Sequence, residues 1–214
     1  MSNRIPFLCA LLALLSLGKG YAQQPELNKG EFSSLIRAGI VASQIHNDDI
    51  GGYNKLGGTL GAGVFTPIGE ELNLQVEINY AMRGSRKRPN PKNGDYTTFA
   101  IEPHYIDVPI LLKKFIWKFE FEAGLNSGIF LFNRINDPNF LLPTAVKDFN
   151  RYELAINLGV NVPINEVWHS NVRFHYSVLP ASGKLQFVNG LSLLGGAYNN
   201  AVTFSINRVF YPKD

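Results

Sequence analysis

Regular alternation between apolar and polar residues is the feature that most constrains the fold of this chain. The longest example lies between Leu72 and Arg83. Its apolar positions are Leu72, Leu74, Val76, Ile78, Tyr80 and Met82. A period of two sends successive side chains to opposite faces of an extended backbone. The segment is therefore predicted to be a β-strand with one apolar and one polar face.

The same pattern recurs in eight segments, which are separated by breaks rich in Gly, Pro and Asn. They span residues 35–45, 57–66, 72–83, 105–113, 117–131, 151–162, 171–178 and 201–210. Three short connections (67–71, 114–116 and 163–167) alternate with four long ones (46–56, 84–104, 133–150 and 179–200). Short periplasmic turns and long outer loops are typical of bacterial outer-membrane barrels. The sequence thus predicts an all-β fold, an eight-stranded antiparallel up-and-down transmembrane β-barrel.

The composition of the polar face indicates which face lies outside, because a soluble barrel would show the same alternation. Glycines recur on this face at Gly39, Gly61, Gly63, Gly124, Gly128 and Gly159. A narrow lumen filled by side chains needs such small residues, whereas a solvent-exposed strand has little use for them. The predicted lumen charge network consists of Arg37, Glu77, Asp107, Glu120, Glu122, Arg151, Glu153 and Arg173. Because buried charges must pair, this mixture of signs favours a membrane barrel with a plugged lumen.

The N-terminal segment has the composition of a secretory signal peptide. Arg4 supplies a positive charge, an apolar run follows, and Gly20 and Ala22 provide small residues before a cut at Gln23. We therefore predict a cleaved signal peptide at residues 1–22, a periplasmic lead-in at 23–32 and an outer-membrane barrel at 33–214. The only cysteine, Cys9, lies in the apolar run, so the exported protein is predicted to lack thiols and disulfides.

The charge balance argues against a nucleic-acid partner. The chain has 20 Lys and Arg residues and 17 Asp and Glu residues, a net charge of +3. Two of the basic residues, Arg4 and Lys19, lie in the predicted signal peptide. The exported chain is therefore nearly neutral, which gives no general reason to expect nucleic-acid binding. No later apolar run is long enough for a spanning helix, so entry into a membrane must rely on strands.

Three of the predicted strands carry motifs of a known family. They are LQVEINYAMRG at residues 74–84, YIDVPILLK at 105–113 and FEFEAGL at 119–125. These resemble the strands LQPELLYSxKG, YLEIPLLLKY and FYLEAGPxxG of the PorT-like outer-membrane β-barrel family of Bacteroidota. Departures are Asp107 in place of the usual glutamate and a chain that ends at Asp214 rather than at an aromatic residue. The resemblance implies a barrel in the outer membrane. It does not imply the namesake's role in type IX protein secretion and gliding.

Two residues depart from the strand pattern. Pro109 lies inside the fourth segment and cannot donate a ladder hydrogen bond, which predicts a bulge or a strand end there. Arg208 falls on the lipid-facing side of the last segment. We expect either that its side chain reaches the periplasmic interface or that the register shifts.

A basic run at the start of the second long loop is the best candidate for a binding site. It consists of Arg83, Arg86, Lys87, Arg88 and Lys92, with no acidic residue between them. Arg and Lys bind phosphate well. An extracellular loop of this composition is predicted to contact lipopolysaccharide, and a solvated loop without a ligand is the alternative.

A catalytic site has weaker support. The histidines are His46, His104, His169 and His175, and no nucleophile motif accompanies any of them. A lipase or acyltransferase would need Ser, His and an orienting group to converge at the outer rim. Asp48 and Asp49 lack the ligand spacing of a calcium-binding loop. We therefore predict no catalytic residue, no cofactor and no metal.

The functional prediction is a non-enzymatic outer-membrane β-barrel with a plugged lumen. It is expected to act through its long extracellular loops or as part of an envelope or secretion complex. Its expected partners are outer-membrane lipid, lipopolysaccharide and envelope proteins. The alternative is a small outer-membrane enzyme that acts on lipid or peptide at the loop rim.

Overall fold

The computed structural model describes residues 29–46, 51–138, 149–182 and 196–212, and nearly all of them lie in β-strands or tight turns. The strands are β1 (Ser33–His46), β2 (Lys55–Pro67), β3 (Leu72–Met82), β4 (Ser85–Lys87), β5 (Phe99–Ile116), β6 (Phe119–Asn136), β7 (Tyr152–Pro163), β8 (Trp168–Ser177) and β9 (Tyr198–Phe210). A short 3-10 turn lies at Pro91–Asn93. Within these described ranges, no helix is long and apolar enough to cross a membrane.

The strands form one closed antiparallel sheet. Their order is β3-β2-β1-β9-β8-β7-β6-β5-β4, and pairing between β3 and β5 closes the ring. The short β4 continues β3 in the same register along β5, because Met82 pairs with His104 and Ser85 with Ile101. The two pieces therefore form one barrel strand, interrupted at Gly84, whose φ of 132° is left-handed. The predicted eight-stranded antiparallel up-and-down barrel is confirmed.

The two faces of the sheet have opposite chemistry, with the apolar side chains outside. Outward positions include Ile40 and Ile78, each 61% exposed, and Leu60, which is 64% exposed. Inward positions hold polar residues such as Arg37 and Glu77, each 2% exposed. A soluble barrel would bury its apolar face instead, because leaving that area in water is unfavourable. This barrel therefore presents the surface that a hydrocarbon environment requires.

Several strand ends differ from the prediction. β5 begins at Phe99 rather than at 105, and β6 extends to Asn136 rather than to 131. The outward positions in these extensions include Glu102 and Arg134, so outward residues near the long loops are no longer regularly apolar. The turn predicted at 114–116 lies instead at Trp117 and Lys118, where Trp117 has a φ of 60°.

Pro109 causes neither a bulge nor a strand end, so that prediction is wrong. Its pairing with Asn126 is regular, and the β3–β5 register is the same on both sides of it. The irregularity lies four residues earlier. There His104 pairs with Phe132 and Tyr105 with Phe130, which leaves Leu131 as one extra residue in β6. A single extra residue of this kind reverses which face the following side chains occupy.

Candidate functional site

Besides the ion pair of Lys113 with Glu120, the interior of the barrel contains two clusters of charged residues at different heights. We call Arg37, Glu77, Glu122 and Arg173 the turn-side cluster, because they lie nearer the short turns. Arg83, Asp107, Glu153 and His175 form the loop-side cluster. All eight side chains are buried, and they come from six of the strands or their immediate ends. Each carboxylate is therefore removed from water and depends on protein partners.

In the turn-side cluster, Arg173 bridges the two glutamates. Its terminal nitrogens donate to both oxygens of Glu77 at 2.8 and 2.9 Å, and Nη2 donates to Glu122 at 3.1 Å. Arg37 donates to Glu77 at 2.8 Å and to the hydroxyl of Ser205 at 2.8 Å. Two-pronged contact between a guanidinium and a carboxylate is the strongest form of this interaction and fixes its direction.

In the loop-side cluster, Arg83 is the central cation. Its Nη2 donates to both oxygens of Asp107, at 2.7 and 2.9 Å, and lies 3.2 Å from Glu153. Its Nη1 lies 2.8 Å from Nε2 of His175, and the guanidinium lies over the ring of Tyr105 at 4.6 Å. Arg83 is therefore not part of the surface basic run in which it was predicted, whereas its inward direction agrees with the polar face predicted for the strand 72–83. Its backbone remains paired with Pro103, so the inward direction of alternate β3 side chains continues through this residue.

Apolar groups lie above and below these charges. Leu35, Phe65 and Val209 form a buried cluster at the short-turn end. Ile45, Ile101 and Ala197 form another at the loop end, against Phe99 and Phe149. Between them is a cavity of about 30 Å³ whose lining includes residues of both ion-pair clusters. That volume is enough for about two water molecules.

Seven of the eight residues predicted for the lumen network are buried, and Arg151 is the exception. The seven are Arg37, Glu77, Asp107, Glu120, Glu122, Glu153 and Arg173. Arg151 is exposed because it lies in a bend just before β7, so its direction no longer follows the strand. The prediction omitted Lys113, which pairs with Glu120 at 2.7 Å, as well as Arg83 and His175. Strand parity could have revealed Lys113 and His175, because they alternate with Leu112 and Phe174.

One Ser, His and Glu group lies in the barrel, but its hydrogen bonds do not match a catalytic triad. The Ser177 hydroxyl donates to Glu153, not to an imidazole. His175 contacts Glu153 at 3.4 Å and Arg83 at 2.8 Å. A triad needs the imidazole to accept the proton of the nucleophilic hydroxyl, and here the hydroxyl is directed elsewhere. Ser177 is also fully buried.

The remaining histidines lie apart from one another. His104 faces outward, contacts the Tyr80 hydroxyl and stacks on Phe132 with ring centroids 4.3 Å apart. His169 is buried on β8, and His46 packs edge-on against Tyr176 at 6.5 Å. Asp48 and Asp49 lie outside the described residues. Among the residues that are described, no three His, Asp or Glu side chains are grouped to hold a metal ion.

The structure places the five residues of the basic run in different surroundings. Arg86, Arg88 and Lys92 are exposed, whereas Lys87 forms an ion pair with Asp95 at 3.0 Å. Hydrogen bonds from the hydroxyl and backbone N–H of Thr97, and from Lys87, lower the pKa of Asp95 to about 2. Its carboxylate is therefore ionised at neutral pH and offsets the charge of Lys87. Three cations of the predicted five remain on the surface.

Arg208 lies at the opposite end of the barrel, on the outward face. Its register is regular, with Ile36 on one side and Trp168 on the other. The guanidinium carbon lies 5.6 Å from the ring centroid of Trp168 and 5.1 Å from that of Phe210. Cations over aromatic rings are stabilised by the ring's negative face, and such pairs suit a membrane interface.

Comparison with known proteins agrees with this architecture. Residues 21–182 match the family described as "Outer membrane protein beta-barrel domain". The chain belongs to this family. It is therefore an outer-membrane β-barrel protein, located in the outer membrane. No curated protein matches the sequence.

Several solved structures resemble this outer-membrane barrel at low identity. The attachment invasion locus protein Ail of Yersinia pestis is 12% identical, with a TM-score of 0.46, over 84% of this chain and 99% of its own. Neisserial surface protein A is 10% identical, with a TM-score of 0.46, over 84% and 97%. OprG of Pseudomonas aeruginosa is 12% identical, with a TM-score of 0.36, over 87% and 100%.

Proposed function

We propose that this outer-membrane barrel is non-enzymatic, that its lumen is plugged and that it acts through its long extracellular loops or within an envelope or secretion complex. The observation that carries this proposal is the paired charge network between two apolar clusters. Each Arg of the network is committed to carboxylates, so none is left to line a water-filled channel. The Ser177 hydroxyl and the His175 imidazole are likewise engaged with the network, which supports a structural rather than a catalytic role.

The proposal extends to the origin and export of the chain. Residues 1–22 have the composition of a cleaved signal peptide, and the motifs at 74–84, 105–113 and 119–125 resemble the PorT-like barrels of Bacteroidota. The function requires no cofactor. The plugged lumen rests on the buried side chains, and the resemblance by itself does not assign a place in a secretion complex.

For a partner, we propose that the loop after β4 contacts the phosphates of lipopolysaccharide. The surface cations Arg86, Arg88 and Lys92 support this contact, because each is exposed and none forms an ion pair with another described residue. Arg83 and Lys87 are excluded from it by their engagement with Asp107 and Asp95. Replacing Arg88 and Lys92 with Gln is expected to weaken lipopolysaccharide binding.

Cysteine labelling tests the plugged lumen. Ala201 lines the central cavity and is 1% exposed, and Lys92 lies on the loop surface. In protein that carries Cys9→Ser, we expect Lys92→Cys to react rapidly with a water-soluble maleimide. Ala201→Cys should react only after unfolding in urea, because packed side chains exclude the reagent. Rapid labelling of Ala201→Cys in folded protein, as judged by heat-modifiable gel migration, would show an open lumen.

A further inference from the structure

The bulge in β6 places an arginine on the outer wall of the barrel. Between the short turn and the bulge, the outward positions of β6 are odd-numbered, as at Leu125 and Ile129, which are 55% and 38% exposed. The extra residue Leu131 reverses this order, so that Phe132 and Arg134 face outward. Bulges commonly redirect a side chain in this way. Without the bulge, Arg134 would point into the mouth of the barrel.

A second arginine faces outward two strands away. Arg86 on β4 lies opposite Ala100 on β5, and Ala100 lies opposite Asn136 on β6. Neighbouring strands are about 4.8 Å apart, so β4 and β6 are separated by roughly 10 Å. Arg134 itself lies opposite Glu102, two residues along β5 from Ala100, so the two arginines are diagonal neighbours across β5. Both lie on the same wall, at the end of the barrel that carries the long loops.

The acidic residues near these arginines already have other partners. Glu102 on β5 lies directly opposite Arg134 on β6, but its carboxylate forms an ion pair with Lys55 and contacts His104 at 3.2 Å. Asp95 is paired with Lys87. Among the residues that the structure describes, neither Arg86 nor Arg134 forms an ion pair. Residues 85–102 contain four basic and two acidic side chains, so this segment carries a net positive charge.

Arg86 and Arg134 lie at the level along the barrel that corresponds to a membrane interface. The Arg134 guanidinium lies 5.9 Å from the ring centroid of Phe132, and the His104 ring stacks on the same phenyl group. Tyr80 contacts His104 from the neighbouring strand. Aromatic groups with polar edges prefer the boundary between hydrocarbon and headgroups, and the apolar outward residues begin just below them.

We propose that Arg86 and Arg134 form a phosphate-binding site for lipid A on the outward wall of β4, β5 and β6. The phosphate would be lipid-borne, because the site lies beside the acyl region rather than on the loop tips. Guanidinium groups match phosphate with two parallel hydrogen bonds, which ammonium groups cannot do. This site deepens the lipopolysaccharide contact proposed above and rests on it.

Binding of purified full-length protein to vesicles tests the site. The vesicles contain phosphatidylcholine with lipid A, with dephosphorylated lipid A or with phosphatidylglycerol. We expect Arg86→Gln and Arg134→Gln each to weaken lipid A binding about tenfold or more, and Arg134→Lys to restore only part of it. Arg208→Gln is the matched control, because it removes an outward arginine on an aromatic ring at the other end. Its binding should be unchanged, and heat-modifiable migration should show that every variant is folded.

The outcomes separate this site from the broader proposal. If the unmodified protein does not bind lipid A, both fail. If Arg88→Gln with Lys92→Gln weakens binding while Arg134→Gln does not, the loop contact stands and the wall site is wrong. Equal binding to dephosphorylated lipid A or to phosphatidylglycerol would also overturn the site, as would an equal loss in Arg208→Gln.

Discussion

We expect Arg173→Met to lower the free energy of unfolding of the barrel by about 3–5 kcal/mol, because it leaves buried carboxylates without their main cation. Arg173 is the only group that contacts both Glu77 and Glu122 with charged hydrogen bonds among the described residues. Both glutamates are nearly inaccessible to water. Neither can be hydrated in place, so the cost of their burial is no longer offset. The measurement is a urea titration of the compact, heat-modifiable form.

The matched control for this change is Arg151→Met. The sequence pattern places Arg151 in the same network, but the structure exposes it in the bend before β7. Its replacement should change the free energy of unfolding by less than about 0.5 kcal/mol, as is usual for surface substitutions. Equal effects of the two changes would mean that Arg173 is not the centre of a buried network.

The second large effect is expected for Arg83→Met, which should also cost about 3–5 kcal/mol because it leaves the buried carboxylates of Asp107 and Glu153 without their arginine. Exposed Arg86 is its matched control, three residues further along the same barrel strand. Arg86→Met should leave stability nearly unchanged. The same urea titration distinguishes an inward Arg83 from a loop residue, which would tolerate replacement.

A double replacement sharpens this test. Asp107 receives two hydrogen bonds from Arg83, at 2.7 and 2.9 Å. Adding Asp107→Asn to Arg83→Met removes the stranded charge, so at least about 1 kcal/mol of the loss should be recovered. If the two losses simply add, the ion pair does not contribute to the stability of the barrel.

The strand pattern predicted the middle of the barrel well. Glu77, Glu122 and Arg173 each lie between two apolar neighbours in an alternating segment, so their inward direction follows from parity alone. The lipid environment favours that pattern, because outward residues in the hydrocarbon region are predominantly apolar. Closure of the sheet and the arrangement of short turns and long loops follow from the same repeated signal.

The pattern failed near the long loops, where the strands extend beyond the apolar outward residues. There the outward residues of β5 and β6 can be polar, so alternation no longer marks the strand. Arg83 was assigned both to the end of the strand 72–83 and to the basic run of the following loop, and only its inward parity in the strand was correct. Arg134 could not be placed from sequence, because a one-residue bulge determines its direction. The ion-pair partners also depend on how the strands are staggered around the barrel, which parity does not specify.

The measurement that tests the central claim most directly is planar-bilayer conductance of the purified, folded protein. A barrel whose lumen is occupied by the Arg83 and Arg173 clusters, with apolar groups at both ends, should give no steady ionic current. Steady, ion-selective openings would contradict the plugged lumen and would assign the interior charges to a conducting pore.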